Sequence, residues 1–138
     1  KAEFLVEKII PLPEPEFSDK MYFRALSPIC ISRQTNRATS SYLSPEDSGY
    51  AELFLHGLLY KYLAVDPNYI ITIPPKLSPF GKVISKLIKI KANTKKETLV
   101  RGFLYDFELI ADPKLIQFGY YCGFGEKNSM GFGFTRIK

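Results

Sequence analysis

The residues best suited to chemistry sit near the end of the chain, in the run Gly123-Phe124-Gly125-Glu126-Lys127-Asn128-Ser129-Met130-Gly131-Phe132-Gly133. Two Gly-Phe-Gly triplets flank a five-residue insert. Exposed backbone N–H groups in such a loop can hold phosphate oxygens. Lys127 adds a positive charge, and Asn128 and Ser129 add hydrogen-bonding groups. The run is not the dinucleotide-binding fingerprint, because Gly-x-Gly-x-x-Gly after a strand is missing. It is not a P-loop either, because no Gly-Lys-Ser/Thr occurs. The alternative reading is a turn in which Gly123, Gly125, Gly131 and Gly133 only let a helix and a strand pack.

A second set of candidates is cationic. Residues 76–101 hold eight bases (Lys76, Lys82, Lys86, Lys89, Lys91, Lys95, Lys96, Arg101) against one acid, a local charge of +7. The whole chain is only +5, so the remainder is slightly acidic. Lys86, Lys89, Lys91, Lys95 and Lys96 could track a phosphate backbone, with Arg33 and Arg37 joining from an earlier loop. A solvated hairpin face is the bland alternative. The 11 Phe and 9 Tyr could include stacking platforms for bases. Phe124 and Phe132, as the apolar members of the triplets, read as core.

Conventional catalytic groups are few. His56 is the only histidine and the only conventional general acid/base, in the middle of a helical pattern between Leu55 and Gly57. It reads first as a helix-surface residue, with catalysis as the alternative. Cys30 and Cys122 are too few for a disulfide framework or a four-cysteine metal site, and read as packing residues. Asp106 and Glu108 share one strand face. They are expected to be solvated or paired with Lys89 and Lys91 rather than to hold a metal. No metal and no cofactor is expected.

The elements that must position these groups follow from periodicity and breakers. Residues 4–10 read as a short strand ending in the stiff connector Pro11-Leu12-Pro13-Glu14-Pro15. Residues 21–31 are apolar and β-prone, with Pro28 marking an edge, bulge or bend. Residues 32–41 read as a loop. Ser44-Pro45-Glu46-Asp47 predicts a helix start, and Tyr50, Leu53, Phe54, Leu58 and Tyr62 continue a helical period over 45–64. Residues 69–73 form a short β-branched run stopped by Pro74-Pro75. Residues 83–91 and 99–109 predict a long hairpin joined by the polar turn 92–97. In its second arm Leu99, Arg101, Phe103, Tyr105, Phe107 and Leu109 share one face. Asp112-Pro113 opens a second helix with Leu115, Ile116, Phe118 and Cys122 on its apolar side, and Gly123 stops it. Residues 131–137 predict the last strand. The order is that of an α+β, ferredoxin-like βαββαβ unit: a four-stranded antiparallel sheet with two helices on one face.

At 138 residues and 46% hydrophobic, the chain can bury one domain-sized core. No apolar run approaches the roughly 20 residues of a membrane span, so no membrane partner is expected.

The C-terminal Gly-Phe-Gly, five residues, Gly-Phe-Gly pattern resembles the hallmark of the RAMP superfamily of CRISPR-associated proteins. More closely, it is similar to the CRISPR repeat-processing endoribonuclease family. Leu26-Ser27-Pro28-Ile29, Tyr42-Leu43-Ser44-Pro45 with the helix behind it, and the segments 102–109 and 112–118 match the same family. The resemblance runs from about Met21 to the end. It implies two tandem ferredoxin-like domains, of which 16–138 would be the second. Residues 1–15 would then be the last strand and linker of a first domain. It implies a cytoplasmic protein that binds CRISPR repeat RNA. Intact members cut it without metal, using a ribose 2′-hydroxyl and leaving a cyclic phosphate. The family's catalytic histidine tends to come from the first domain, so none of its catalytic residues carries over here. Two other readings stand beside this one: a non-catalytic RNA-binding subunit of a CRISPR ribonucleoprotein, and a ferredoxin-like protein-interaction domain. Other CRISPR effector subunits and a second copy of the chain are further candidate partners.

Overall fold

The computed structural model describes residues 14–34, 40–91, 95 and 98–138. The described elements run β1 (Lys20–Ala25), β2 (Ser32–Gln34), β3 (Ser40–Tyr42), α1 (Tyr50–Val65), β4 (Lys76–Ile90), β5 (Thr98–Ile110), α2 (Pro113–Cys122) and β6 (Thr135–Ile137). A 3-10 turn, Asn128–Met130, precedes β6. Four strands form an antiparallel sheet in the order β4-β5-β1-β6. Setting aside the small β2–β3 hairpin, this is the expected ferredoxin-like topology. The strand expected at 4–10 lies outside the described residues.

The core forms where alternation in the strands meets helical periodicity. Met21, Phe23 and Ala25 of β1 and Phe103, Tyr105, Phe107 and Leu109 of β5 are buried on one face. Tyr50, Phe54 and Leu58 of α1 and Leu115 and Ile116 of α2 cover that face. Most of the aromatic rings meet edge-on or tilted, as their quadrupoles prefer. Phe54 and Phe107, for example, are 5.6 Å apart at 70°. The hydroxyls of Tyr50 and Tyr105 hydrogen-bond each other inside this core, so neither is left unpaired. Burial pushes both phenol groups above their ordinary pKa.

Several expected boundaries move, each for a local reason. The helix expected from Pro45 starts at Tyr50. The Asp47 carboxylate accepts the Ser44 N–H at 2.7 Å and closes a separate turn. Gly49 then reverses the chain at φ 84° before the helix begins. Within the expected loop 32–41, residues 32–34 instead pair antiparallel with 40–42. The β-branched run 69–73 is not a strand. Its Tyr69 and Thr72 hydroxyls both donate to the Asp112 carboxylate, as does the Thr72 N–H at 3.2 Å. Asp112 therefore makes no side-chain cap on α2, although Pro113 does open that helix. Burial pushes the Asp112 carboxyl up, but the bonds from Thr72 and Tyr69 outweigh it and leave the pKa below its ordinary value. β4 begins at Lys76 rather than Val83 and passes through Pro79 and Gly81. It is an edge strand, the place in a sheet where a proline is tolerated. A bulge between Phe80 and Ile84 absorbs Gly81 at φ 73°. The last strand is only three residues long, because 131–134 belong to the glycine-rich loop. Cys122 is exposed rather than part of the apolar side of α2.

Candidate functional site

The glycine-rich loop closes over the seam between α1, α2 and the start of β2. Its two phenylalanines go inward, as expected, but into different places. Phe124 enters the main core, its ring stacked on Phe54 at 5.4 Å and 17°. Phe132 joins a smaller cluster with Cys30 and Val100 on the other side of β5. Backbone bonds fix the path between them. The Phe124 N–H donates to the Gly133 carbonyl at 2.8 Å, the Glu126 N–H to Cys30 at 2.8 Å, and the Gly133 N–H to Pro28 at 2.9 Å.

Three polar side chains complete the fixation. The Glu126 carboxylate accepts the Ser32 N–H at 2.6 Å and the Ser32 hydroxyl at 2.7 Å. The Asn128 amide nitrogen donates to the carbonyls of Phe124 at 3.0 Å and Phe132 at 2.8 Å. Lys61, which sequence reasoning passed over, reaches across from α1. Its ammonium donates to the Gly123 carbonyl at 3.0 Å, the Gly125 carbonyl at 2.9 Å and Asn128 Oδ1 at 2.8 Å. Burial lowers the Lys61 pKa. A signal for it existed in the sequence. Lys61 lies seven residues after Phe54, about two helical turns on, within the stripe that faces the core.

Of the loop residues expected to meet a ligand, Asn128 is therefore committed to the loop's own backbone. Ser129 is exposed beside the exposed Met130, and Lys127 is half-buried. Lys127 holds the left-handed conformation, φ 60°, at the start of the 3-10 turn.

The hairpin lysines do not share one face. Directly opposed residues of an antiparallel pair project to the same side. Lys86 opposes Gly102 and Ile88 opposes Val100, so these lie on the side covered by the glycine-rich loop. Lys89 opposes Leu99 on the other side, where Arg101 and Leu87 also lie. Lys91 and Lys95 are exposed at the end of the hairpin. Lys96 and Arg37 lie outside the described residues. Arg33 is on β2 rather than in a loop, and its guanidinium donates to the Ser48 carbonyl at 2.9 Å. The hairpin and the loop adjoin at a shallow groove lined by Pro28, Ile88, Met130, Gly131 and Phe132.

His56 is exposed on α1, about 140° around the helix axis from Lys61. It is not brought together with the loop. Cys30 is buried, and burial pushes its thiol up to about 12. That leaves it a packing thiol rather than a nucleophile. Among the described residues, no group of three His, Cys, Asp or Glu is placed to hold a metal, and no helix is long and apolar enough to cross a membrane.

Asp106 and Glu108 pair with partners other than Lys89 and Lys91. They lie on the sheet face away from the helices. Arg24 donates to Asp106 through Nε at 2.9 Å and Nη2 at 3.1 Å, and the Lys138 ammonium adds a third bond at 2.7 Å. Glu108 lies 3.8 Å from Lys20. The Arg24 hydrogen bonds, opposed by desolvation and aided by Lys138, lower the Asp106 pKa from 3.8 to about 2. A depressed carboxylate pKa stabilises the fold above the unfolded value and loses that contribution as pH falls through the folded one. Asp106→Asn is therefore expected to destabilise the protein at pH 5, with most of the difference from wild type lost by about pH 2 and the rest below it. Urea midpoints across that range measure it. A difference that persists unchanged at pH 2 would assign the effect to packing instead.

Comparison with known proteins adds an independent line. The family described as CRISPR associated protein Cas6, C-terminal, matches residues 12–137. The chain is 32% identical over 140 residues to the CRISPR-associated endoribonuclease Cas6 1 of Methanocaldococcus jannaschii, covering 96% of this chain and 50% of that protein. It is 31% identical over 139 residues to a CRISPR-associated endoribonuclease-like Cas6 protein of Pyrococcus furiosus, covering 97% of this chain and 54% of that one. The chain thus spans about half the length of the curated relatives it matches. A solved CRISPR associated protein Cas6 superposes with a TM-score of 0.72 at 30% identity, over 95% of this chain and 52% of that one. A RAMP protein described as binding different RNA substrates superposes with a TM-score of 0.78 at 21% identity, over 92% of this chain and 52% of that one. The second likeness concerns the fold alone.

Proposed function

We propose, because the chain belongs to the C-terminal family of CRISPR associated protein Cas6, that it is the RNA-gripping second domain of a metal-independent endoribonuclease. That enzyme would cut precursor CRISPR RNA within its repeats. The relatives' greater length supports a reading in which 16–138 form this domain and 1–15 end a preceding one.

The observation that carries the proposal is the meeting of the basic hairpin and the glycine-rich loop at one groove. Lys86 on the loop side and Lys127 on the loop itself supply cations to neighbouring phosphates. Ile88, Met130 and Pro28 between them offer an apolar surface to an unstacked base. Lys91 and Lys95, exposed at the end of the hairpin, extend the charge beyond the groove. Cleavage through a ribose 2′-hydroxyl needs a base near that oxygen and an acid near the leaving oxygen. His56 stands away from the loop, so the chemistry is assigned to residues beyond this domain.

End-labelled CRISPR repeat RNA, incubated with this chain in EDTA across a salt series, tests the proposal on native and denaturing gels. Salt-sensitive binding without cleavage is expected. For a single strand, each phosphate contact adds about 0.7 to the slope of log affinity against log salt. Replacing Lys86, Lys91 and Lys95 together by alanine is therefore expected to lower the slope by about 2. Absent or salt-insensitive binding by the wild-type chain would overturn the RNA-gripping role. Cleavage by this chain alone would move the active centre into these residues and make His56 the first variant.

A further inference from the structure

We infer that Lys61 is a positioning residue: it presets the glycine-rich loop for RNA by holding both ends of the loop's first triplet and the amide of Asn128. The inference rests on the RNA-binding reading for its function, but not for its geometry.

An ammonium has three N–H donors and no acceptor. Lys61 meets three acceptors, on Gly123, Gly125 and Asn128, so every donor is used. Its place in α1 makes this notable. Phe54 and Leu58 are fully buried on the same stripe, and an aliphatic residue at position 61 would continue that stripe at no electrostatic cost. Half-burying a cation costs free energy unless it is fully hydrogen-bonded. What the cation gains here is directional. The Gly123 carbonyl lies at the C-terminal end of α2, where the helix dipole favours positive charge.

The third bond passes the fixation on. By accepting from Lys61, Asn128 Oδ1 sets which way the amide faces. Its nitrogen is then aimed at the carbonyls of Phe124 and Phe132. One connected set of bonds runs from α1 to the central residue of both triplets. The segment between them carries Lys127 and Ser129. Lys61 itself is directed inward, so it is expected to govern RNA binding without touching RNA.

That separates two effects that loss of any lysine would otherwise mix. Lys61→Met keeps the stem and removes the donors. Amide hydrogen exchange is expected to quicken about tenfold or more at Phe124, Glu126 and Gly133, while the amides of β5 keep their wild-type rates. Repeat-RNA affinity is expected to fall about tenfold with an unchanged salt slope, because no phosphate contact is lost. Lys86→Ala, in contrast, should lower the slope by about 0.7 and leave loop exchange alone. Asn128→Ala breaks the same network from the other end and serves if Lys61→Met does not fold. It should reproduce the exchange pattern.

Unchanged loop exchange in both variants would overturn the inference. So would a salt slope reduced in Lys61→Met, which would make Lys61 a phosphate contact. If wild-type chain binds no RNA, the RNA reading fails by that result alone. Loop exchange in the two variants then still decides whether Lys61 holds the loop.

Discussion

Gly133→Ala is expected to destabilise the protein by about 3 kcal/mol, while Gly131→Ala two residues earlier costs about 1. The two glycines share a left-handed backbone, with φ of 84° and 94°. An L-residue pays about 1–2 kcal/mol for that conformation in either case. They differ in surroundings. A Cβ on Gly133 would overlap the backbone carbonyl of Phe124, which is itself bonded inside the loop and has no room to yield. A Cβ on Gly131 would meet nothing within 4 Å. Overpacking adds about 1–3 kcal/mol to the first substitution only. Urea midpoints of the two variants give the comparison. Equal losses would mean that the backbone conformation, not the close approach at Gly133, sets the cost. Repeat-RNA binding should follow the same order, because Gly133 fixes the loop from within and Gly131 lies at the rim of the groove.

The motif's apparent symmetry therefore conceals a division of labour. As sequence, the two triplets look alike, and either an anion-holding loop or a packing turn suits them. In space the packing role is heavy. Phe124, Phe132, Glu126 and Asn128 all bind the loop to the rest of the fold, while Ser129, Met130 and Gly131 are exposed and Lys127 is half-buried. Residue type alone did not separate Asn128 from Ser129. The distinction depends on Lys61, a residue 67 positions away along the chain.

Local signals served best where one element decides its own structure. The alternation of β5 identified Phe103, Tyr105, Phe107 and Leu109 as a face, and Asp112-Pro113 marked the start of α2. They served worst where tertiary position overrides propensity. Pro79 and Gly81 read as breakers, yet β4 continues through them because it is an edge strand with a bulge. The run 69–73 has the β-branched residues of a strand, but Asp112 draws its Tyr69 and Thr72 away from any ladder. The β5 face also changes character along its length. Leu99 and Arg101 extend past the helices and are exposed, while Val100 and Gly102 are covered from the opposite side. Alternation assigns faces, but it does not say where along a strand the cover begins.

The largest loss is expected at Phe124, where the core and the loop are the same residue. Its ring stacks on Phe54 at 5.4 Å, meets Phe107 edge-on at 5.4 Å and lies 5.6 Å from Phe23. It also presses against Gly119 of α2, where a Cβ would overlap the ring. Phe124→Ala empties a site walled by three fully buried rings that cannot collapse together, so about 3–5 kcal/mol is expected. Against a total stability of about 5–15 kcal/mol, that is a large share. Phe132→Ala, in the smaller cluster with Cys30 and Val100, has fewer neighbours to lose and should fall at the low end of that range or below it. Thermal unfolding of the two variants measures the difference. If Phe132→Ala proves the more damaging, the loop is anchored from the β5 side rather than from the helices. Lys61 would then hold a loop already fixed elsewhere. The expected order instead makes α1 the common support: Phe54 carries the ring of Phe124, and Lys61, two turns later on the same stripe, carries the backbone on either side of it.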